Sequence, residues 1–226
     1  LRLGGILGLG ARDSSNLLQE MIQRKRYLMP EELQTDPFGH TMFVRKTQSL
    51  EIPEPYPDDL VPDPVVPEQS QDVTELLSCL DRLEACREEK KEPSDWEESL
   101  RNAQDLAGDC FAEWLSACGK EGDISTLRQF IVMYIEFAYC YQPPDEADLG
   151  LDVSFIWLKN FFFRHLPPKI YLEDPTELAY APAAISLFHS YLYLIGWLKE
   201  ERAQIKAGEI LDLQRRFWDM LRKRYS

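Results

Sequence analysis

Residues 124–141, with the sequence ISTLRQFIVMYIEFAYCY, decide the fold of this chain. Leu127, Phe130 and Tyr134 recur at the three- and four-residue spacing that places side chains on one face of a helix. Phe137 and its apolar neighbours extend this stripe around nearly the whole circumference. A helix that is apolar on most faces lies inside a globular protein. The stretch therefore predicts a central helix, around which the other helices should pack.

Capping signals predict where two further helices begin. Ser94-Asp95-Trp96-Glu97 has the pattern of a capping box, in which Ser94 and Glu97 satisfy each other's backbone amides. Its helix should end near Gly119 and bury one face, formed by Leu100, Ala103, Ala107, Cys110, Trp114 and Ala117. Asp174-Pro175-Thr176-Glu177 combines a capping aspartate with proline at the first helical position. Its main helix is expected over residues 183–198.

Periodicity alone predicts three more helices. One begins near Asp72 and carries a single apolar stripe, formed by Val73, Leu76, Leu77, Leu80 and Leu83. A second, Val153–His165, is rich in aromatic residues and should be stopped by Leu166-Pro167-Pro168. The last, over residues 199–224, buries Ile210, Leu213, Phe217 and Met220 or Leu221. We therefore expect an all-α fold: an irregular helical bundle of five to six helices in residues 72–226, with an N-terminal helix and an extended proline-rich arm.

Residues 1–50 have the pattern of an N-terminal helix followed by a turn-rich segment. The helix is expected over Ser14–Met29, and a short extended piece over Thr41–Arg45. The glycine-rich opening, residues 4–10, lacks the Lys-Ser or Lys-Thr pair that follows the last glycine of a phosphate-binding loop. We therefore expect a mobile or partner-docked terminus there rather than a nucleotide site.

Residues 51–71, called the arm below, form an acidic proline-rich segment. Six prolines fall between positions 53 and 67, a density that excludes helix and predicts an extended backbone. The arm is either a solvated spacer or a segment docked in a groove on the bundle. A spacer is favoured by the charge, whereas docking is favoured by the many apolar side chains: Ile52, Tyr56, Leu60, Val61, Val65 and Val66.

The charge and the cysteines limit the classes of function. The net charge is −14, and residues 51–100 hold sixteen acidic side chains against four basic ones. Such a field repels nucleic acid and anionic membrane. The five cysteines include no Cys-x-x-Cys pair, which is typical of free thiols in a reducing compartment. We therefore expect a cytoplasmic protein.

One apolar run is long enough to raise the question of a membrane span. The 21 residues from Leu178 to Leu198 contain no Asp, Glu, Lys or Arg, and that length could cross a bilayer. Pro182, His189 and the tyrosines are spread through the run, where polar groups are costly in lipid. The run is therefore interpreted as a buried core helix.

The residues that could carry chemistry form no recognisable constellation. Neither His165 nor His189 follows a glutamate by three positions, as in carboxylate di-metal bundles. The cysteine spacings are too wide for a typical zinc site, and no Gly-x-Ser-x-Gly elbow is present. The aromatic residues from Trp157 to Trp197 are expected in the core, with an apolar ligand pocket or partner groove as the alternative. No catalytic residue, metal ligand or cofactor is predicted.

The sequence therefore favours a non-enzymatic helical protein–protein interaction module, such as an adaptor or a regulatory subunit. One alternative is a small-ligand or metal-dependent enzyme with its site in the bundle interior. Another is weak nucleic-acid binding through the basic C-terminal helix. A protein partner is expected, and homo-oligomerisation is a further option. The candidate partner-binding residues are Tyr56, Leu60, Val61 and Val65 on the arm, and Arg215, Arg216, Arg222, Lys223 and Arg224 on the last helix.

Overall fold

The structure, a computed structural model, describes residues 33–35, 41–43, 51–61, 63–89, 96–120, 124–141, 150–170 and 174–225. The chain divides into two compact units, Leu1–Gln48 and Ser49–Ser226. The helix predicted over Ser14–Met29 and the glycine-rich opening lie outside the described residues.

In the first unit, the described residues form a short antiparallel pair of strands. Strand β1 is Leu33–Thr35 and β2 is Thr41–Phe43, with Leu33 opposite Phe43. Strand β2 falls within the extended piece predicted over Thr41–Arg45.

The second unit is the helical bundle. Its α-helices are α1 Pro57–Leu60, α2 Gln71–Glu88, α3 Glu97–Ala117, α4 Ile124–Cys140, α5 Phe155–Asn160, α6 Leu166–Lys169, α7 Ala181–Leu194 and α8 Glu200–Tyr225. A π-helical turn, Phe161–His165, joins α5 to α6, and a 3-10 helix, Pro175–Tyr180, precedes α7. The prediction of an all-α bundle is confirmed.

Helices α3, α4 and α7 form the middle of the bundle. Helix α3 packs against α2 and α4, while α7 packs against α4 and α8. Helix α4 buries most of its circumference, as predicted from its sequence. Phe111 of α3 contacts Phe188 of α7 edge to face, with ring centroids 5.6 Å apart. Such aromatic contacts add to the apolar burial that holds the helices together.

A glycine follows each of two helices, one at the predicted end of α3 and one after α7, which ends at Leu194 rather than at the predicted residue 198. Gly119 follows α3 with φ 77°, and Gly196 follows α7 with φ 85°. Both values lie in the left-handed region, which glycine enters without the steric cost of a Cβ atom. At the start signal Asp174, the carboxylate accepts a hydrogen bond from the Thr176 amide at 2.8 Å, as predicted. The signal opens the 3-10 helix, however, so α7 begins at Ala181 rather than at residue 183.

The predicted start of α3 is shifted. Helix α3 begins at Glu97, with Trp96 at the N-cap position and no side-chain capping bond. Ser94, the other half of the predicted capping box, lies outside the described residues.

The prediction that Leu166-Pro167-Pro168 stops the fifth helix was wrong. Helical backbone continues to Lys169. The π-helical turn ends at His165, and a new α-helical turn then begins at Leu166. Pro167 and Pro168 therefore occupy a first helical turn, where a missing backbone N–H costs little.

Several residues of the predicted core helices are exposed, among them the aromatic Tyr193 of α7 at 39%. Ala117 lies in the last turn of α3, where the helix leaves the bundle. Phe155 and Ile156 are 39% and 69% exposed in the first turn of α5. Buried positions begin two residues later, at Leu158, and continue with Phe161 and Phe162. Periodicity identified the helices correctly but extended their buried faces too far towards the ends.

The apolar run Leu178–Leu198 is divided among the 3-10 helix, α7 and the turn at Gly196. Helix α7 is buried on most faces. Across the described ranges, no helix combines the length and the hydropathy needed to span a bilayer.

Candidate functional site

The N-terminal end of the arm docks on α8. The Gln214 side chain donates a hydrogen bond from Nε2 to the Pro55 carbonyl oxygen at 2.6 Å. The Tyr56 ring contacts Trp218 edge to face, with centroids 5.5 Å apart. An ion pair also joins Glu54 to Arg222. The first residues of the arm are thus held by three kinds of contact.

The middle of the arm fills part of the bundle core. Pro57 begins the short helix α1, and the Asp59 carboxylate accepts a hydrogen bond from the Tyr56 amide at 2.7 Å. The helix packs against α7 and buries Leu60, and Val61 beyond it is buried too. The expectation that prolines exclude helix from the arm was therefore wrong. Proline at the first position of a helical turn fits its fixed φ.

The C-terminal part of the arm lies along α3 in extended form. Trp114 donates a hydrogen bond from Nε1 to the Val65 carbonyl oxygen at 2.8 Å. The Val65 amide donates to the Cys118 sulfur at 3.5 Å. Both polar groups of the Val65 backbone are thus paired by side chains of one helix. Of the two interpretations of the arm, the structure favours the docked segment.

A pocket of about 410 Å³, called the arm pocket below, lies where the arm meets α3 and α7. Its walls are largely apolar, and Glu68 and Glu113 supply the charge. The residues that line it are Val65, Val66, Pro67, Glu68, Ser70, Val73, Cys110, Glu113, Trp114, Ala117 and Tyr191. Val66, on the arm, is 74% exposed. The arm therefore presents apolar surface to solvent beside the pocket.

Two polar groups in the wall of the arm pocket have raised pKa values and stay protonated at neutral pH. The Tyr191 hydroxyl and the Cys110 thiol are close neighbours, and both residues are buried. Burial and the Glu113 charge raise the pKa of Cys110 to about 11. Burial also raises the pKa of Tyr191. A thiol that is protonated at neutral pH is a weak nucleophile, so the pocket is suited to contact rather than covalent chemistry.

A second pocket, called the α2 pocket below, has a volume of about 430 Å³. Leu77 and Trp197 provide its apolar surface, and three carboxylates provide its charge. The full lining is Leu77, Asp81, Glu84, Ala85, Glu88, Gly196 and Trp197. Glu84 has a structural role, because it accepts hydrogen bonds from the Tyr139 hydroxyl at 2.6 Å and the Gly150 amide at 2.8 Å.

The structure separates the predicted partner-binding residues into buried and exposed sets. Leu60 and Val61 are buried in the core of their own bundle and are therefore not accessible to a partner. Tyr56 and Val65 are exposed, and Tyr56 shares a pocket of about 300 Å³ with Arg215.

Of the five candidate basic residues of α8, four are exposed and Arg222 is held in ion pairs. Arg222 is half-buried and pairs with Glu54 and Asp219. Arg216, Lys223 and Arg224 are exposed, and the Arg224 guanidinium lies over the Tyr225 ring.

Sequence reasoning missed the residues that the arm pocket takes from the bundle. Trp114, Cys110 and Tyr191 were all assigned to the core. Their helical spacing indeed predicts burial, and all three are buried. The Trp114–Val65 hydrogen bond joins residues 49 positions apart, and no local pattern signals such a pairing.

A buried polar network joins residues 151–153 to α4, α7 and α8. Lys206 donates hydrogen bonds from Nζ to the Val153 carbonyl oxygen at 2.6 Å and to Glu209 at 2.7 Å. Its Nζ lies 3.1 Å from an Asp152 oxygen, and Asp152 also pairs with Arg202. Burial lowers the pKa of Lys206. Every charged member has an opposite charge nearby, which is the condition for retaining charges in a protein interior.

His189 lies at the α4–α7 side of this network. Its Nδ1 donates to the Ile185 carbonyl oxygen at 2.8 Å, and its Nε2 lies 3.2 Å from the Tyr134 hydroxyl. Tyr134 in turn donates to the Leu151 carbonyl oxygen at 2.8 Å. Burial lowers the pKa of His189 to about 4, so the ring is neutral at neutral pH. None of the three pockets described above includes a residue of this network in its lining.

In the described part of the chain, no group of three or more histidine, cysteine and carboxylate side chains is placed to hold a metal ion. All five cysteines lie in the described ranges and are free thiols.

Helices and arm together define an all-α bundle with a docked proline-rich segment. Comparisons of the chain with protein-family models, with curated proteins and with solved structures found no match. The site is therefore interpreted from its own geometry.

Replacing Trp114 by phenylalanine should loosen the C-terminal part of the arm. The variant keeps an aromatic ring but loses the Nε1–H donor to Val65, a loss of about 1 kcal/mol. Hydrogen exchange followed by mass spectrometry should show faster exchange of residues 63–70. The matched variant Trp157→Phe, on α5, should leave arm exchange unchanged. Equal exchange in Trp114→Phe and wild type would contradict the anchoring role.

Proposed function

We propose that this chain is a non-enzymatic protein–protein interaction module, an adaptor or a regulatory subunit, that binds its partner where the arm meets the bundle. The observation that carries the proposal is the exposed apolar pair Val65 and Val66 beside the largely apolar arm pocket. Exposed apolar surface next to a pocket with an aromatic wall is typical of protein interfaces.

The way the arm is held supports this proposal. Trp114 and Cys118 pair the Val65 backbone, while its side chain remains exposed. A partner would therefore meet apolar side chains on a backbone that is already ordered, and would not have to order it on binding. Preorganisation of this kind lowers the entropic cost of association.

The chemistry of the buried groups also fits an interaction role better than catalysis. The Cys110 thiol is protonated at neutral pH, and the Lys206 ammonium is engaged by Asp152, Glu209 and a carbonyl oxygen. Of the candidate basic residues of α8, Arg222 is engaged by Glu54 and Asp219. These features supply no argument for the enzymatic and nucleic-acid alternatives.

Affinity capture with a matched pair of variants tests the proposal. The double variant Val65→Ser/Val66→Ser removes exposed apolar surface from the arm and should lose a protein that wild type retains. The control, Ile205→Ser/Leu211→Ser, removes exposed apolar side chains from α8 instead and should retain it. A wild-type chain that retains no protein specifically, yet turns over a compound from a metabolite panel, would refute the proposal.

A further inference from the structure

The arm pocket and the α2 pocket are bordered by the same two elements, α2 and the C-terminal end of α7, and the two together are called the groove below. Val73 lines the first and Leu77 the second, and residues four apart lie on the same face of a helix. On the other side, Tyr191 of α7 lines the first, while Gly196 and Trp197, which directly follow α7, line the second. The groove thus runs between α2 and the C-terminal end of α7. Its floor includes Cys110 and Trp114 of α3.

The length of the groove follows from the helix that forms its wall. Val73 and Glu88 mark its extent along α2 and are fifteen residues apart. At the rise of an α-helix this is about 22 Å, or about four helical turns. An occupant would therefore be a peptide segment of similar length, with one apolar anchor for each pocket.

The negative charge of the groove favours a basic occupant. The charged residues that line the two pockets are carboxylates: Glu68, Asp81, Glu84, Glu88 and Glu113. Four of them are exposed, whereas Glu84 is buried and paired with Arg87. Asp72 and Asp109 add negative charge near Cys110. Apolar surface at both ends and negative charge along the walls complement a segment that alternates apolar and basic residues.

We propose that this groove binds a basic, amphipathic segment of a protein partner, with two apolar side chains seated in the arm pocket and the α2 pocket. This inference rests on the proposed function and specifies the chemistry of the partner. It resembles the general mode in which an amphipathic helix lays its apolar face in a groove.

A direct test uses a labelled synthetic peptide of leucine and lysine, amphipathic as a helix and about 18 residues long. Fluorescence anisotropy should show binding that weakens as salt is added. A peptide with glutamate in place of lysine should not bind, and one with serine in place of leucine should bind much more weakly. Equal binding of the lysine and glutamate peptides would overturn the proposal.

Charge variants distinguish binding of the lysine peptide in the groove from a general attraction of a basic peptide to an acidic protein. The triple variant Asp81→Asn/Glu88→Gln/Glu113→Gln should weaken lysine-peptide binding at least about tenfold, which corresponds to about 1.4 kcal/mol. The control triple Glu98→Gln/Glu201→Gln/Asp212→Asn removes the same charge from exposed positions outside the groove. It should change binding less than about twofold. Equal weakening by the two triples would overturn the proposal.

A second pair of variants tests whether an apolar side chain of the peptide binds in the α2 pocket. Ala85 is exposed in the α2 pocket, so Ala85→Arg should fold while blocking the pocket with a long cationic side chain. Peptide binding should fall at least about tenfold. Gln204→Arg adds the same charge at an exposed position on α8 and should have little effect. Thermal unfolding of each variant verifies that the bundle is intact.

The outcomes for a natural partner distinguish this inference from the proposed function. A partner that depends on Val65 and Val66 but is unaffected by the groove triple would overturn the inference and leave the proposed function standing. A chain that retains no protein partner would overturn both. A partner lost from both variants and kept by both controls would support both.

Discussion

Replacing Asp152 by alanine should lower the free energy of unfolding by about 3–5 kcal/mol. Asp152 and Lys206 both have side chains that are only 4% exposed, and their charged atoms lie 3.1 Å apart. Removing the carboxylate leaves the Lys206 ammonium in the interior with one counter-charge fewer, and it also removes one ion-pair partner of Arg202. Losing one member of a buried charge pair is among the most destabilising single changes. Urea unfolding at neutral pH measures the effect.

A double variant separates the loss of the charge pair from the loss of packing. In Asp152→Ala/Lys206→Met both charges are removed, and an apolar side chain of similar length replaces the lysine. Because the double variant no longer buries an ammonium that has lost its Asp152 counter-charge, it should be more stable than the sum of the two single changes by at least about 1 kcal/mol. Additive effects, or a loss below about 1 kcal/mol in Asp152→Ala, would show that the network contributes little to folding.

The second large effect is a loss of folding stability at acidic pH, caused by His189. His189 has a folded-state pKa of about 4, against 6.5 for an ordinary histidine. Between these values the unfolded chain binds a proton at this position and the folded chain does not, so stability falls as pH falls. The difference amounts to about 3 kcal/mol, lost progressively from about pH 6.5 to about pH 4. Burial is the largest cause of the lowered pKa, and the Lys206 charge on α8 lowers it further. The hydrogen bonds to the Ile185 and Leu151 carbonyl oxygens and the Glu209 charge act in the opposite direction.

The measurement compares unfolding by urea at about pH 7 and about pH 4.5. Wild type should lose about 2–3 kcal/mol more over this range than the variant His189→Gln, which cannot take up the proton. His165→Gln serves as the control because His165 is partly exposed and lies outside the network; it should retain most of the wild-type loss. An identical pH dependence in wild type and His189→Gln would show that carboxylates alone cause the acid sensitivity.

The helices could be predicted because their signals are local. The circumference of α4 is apolar within one stretch of 18 residues, and the cap at Asp174 is formed within three residues of sequence. The prediction at Pro167 and Pro168 was wrong because it assumed that the prolines fall inside an uninterrupted helix. Instead, a π-helical turn ends at His165 and a new helical turn begins at Leu166, so both prolines lie in a first turn.

The site could be predicted only in part. The sequence named candidate partner-binding residues on the arm, of which Tyr56 and Val65 are exposed. It also named Leu60 and Val61, which are buried, because composition identifies an apolar side chain but not the surface that covers it. The groove brings α2, α3 and α7 together, and no periodicity within one helix reports which helix lies beside it.

The Gln214–Pro55 hydrogen bond and the Glu54–Arg222 ion pair join residues 159 and 168 positions apart. During synthesis, the beginning of the arm is therefore made long before its binding surface on α8 exists. The Tyr56 ring therefore lacks its Trp218 contact until α8 leaves the ribosome, and such an interval favours aggregation or capture by chaperones. Contacts of this sequence separation also close a long loop, so the arm should be among the last described segments to dock.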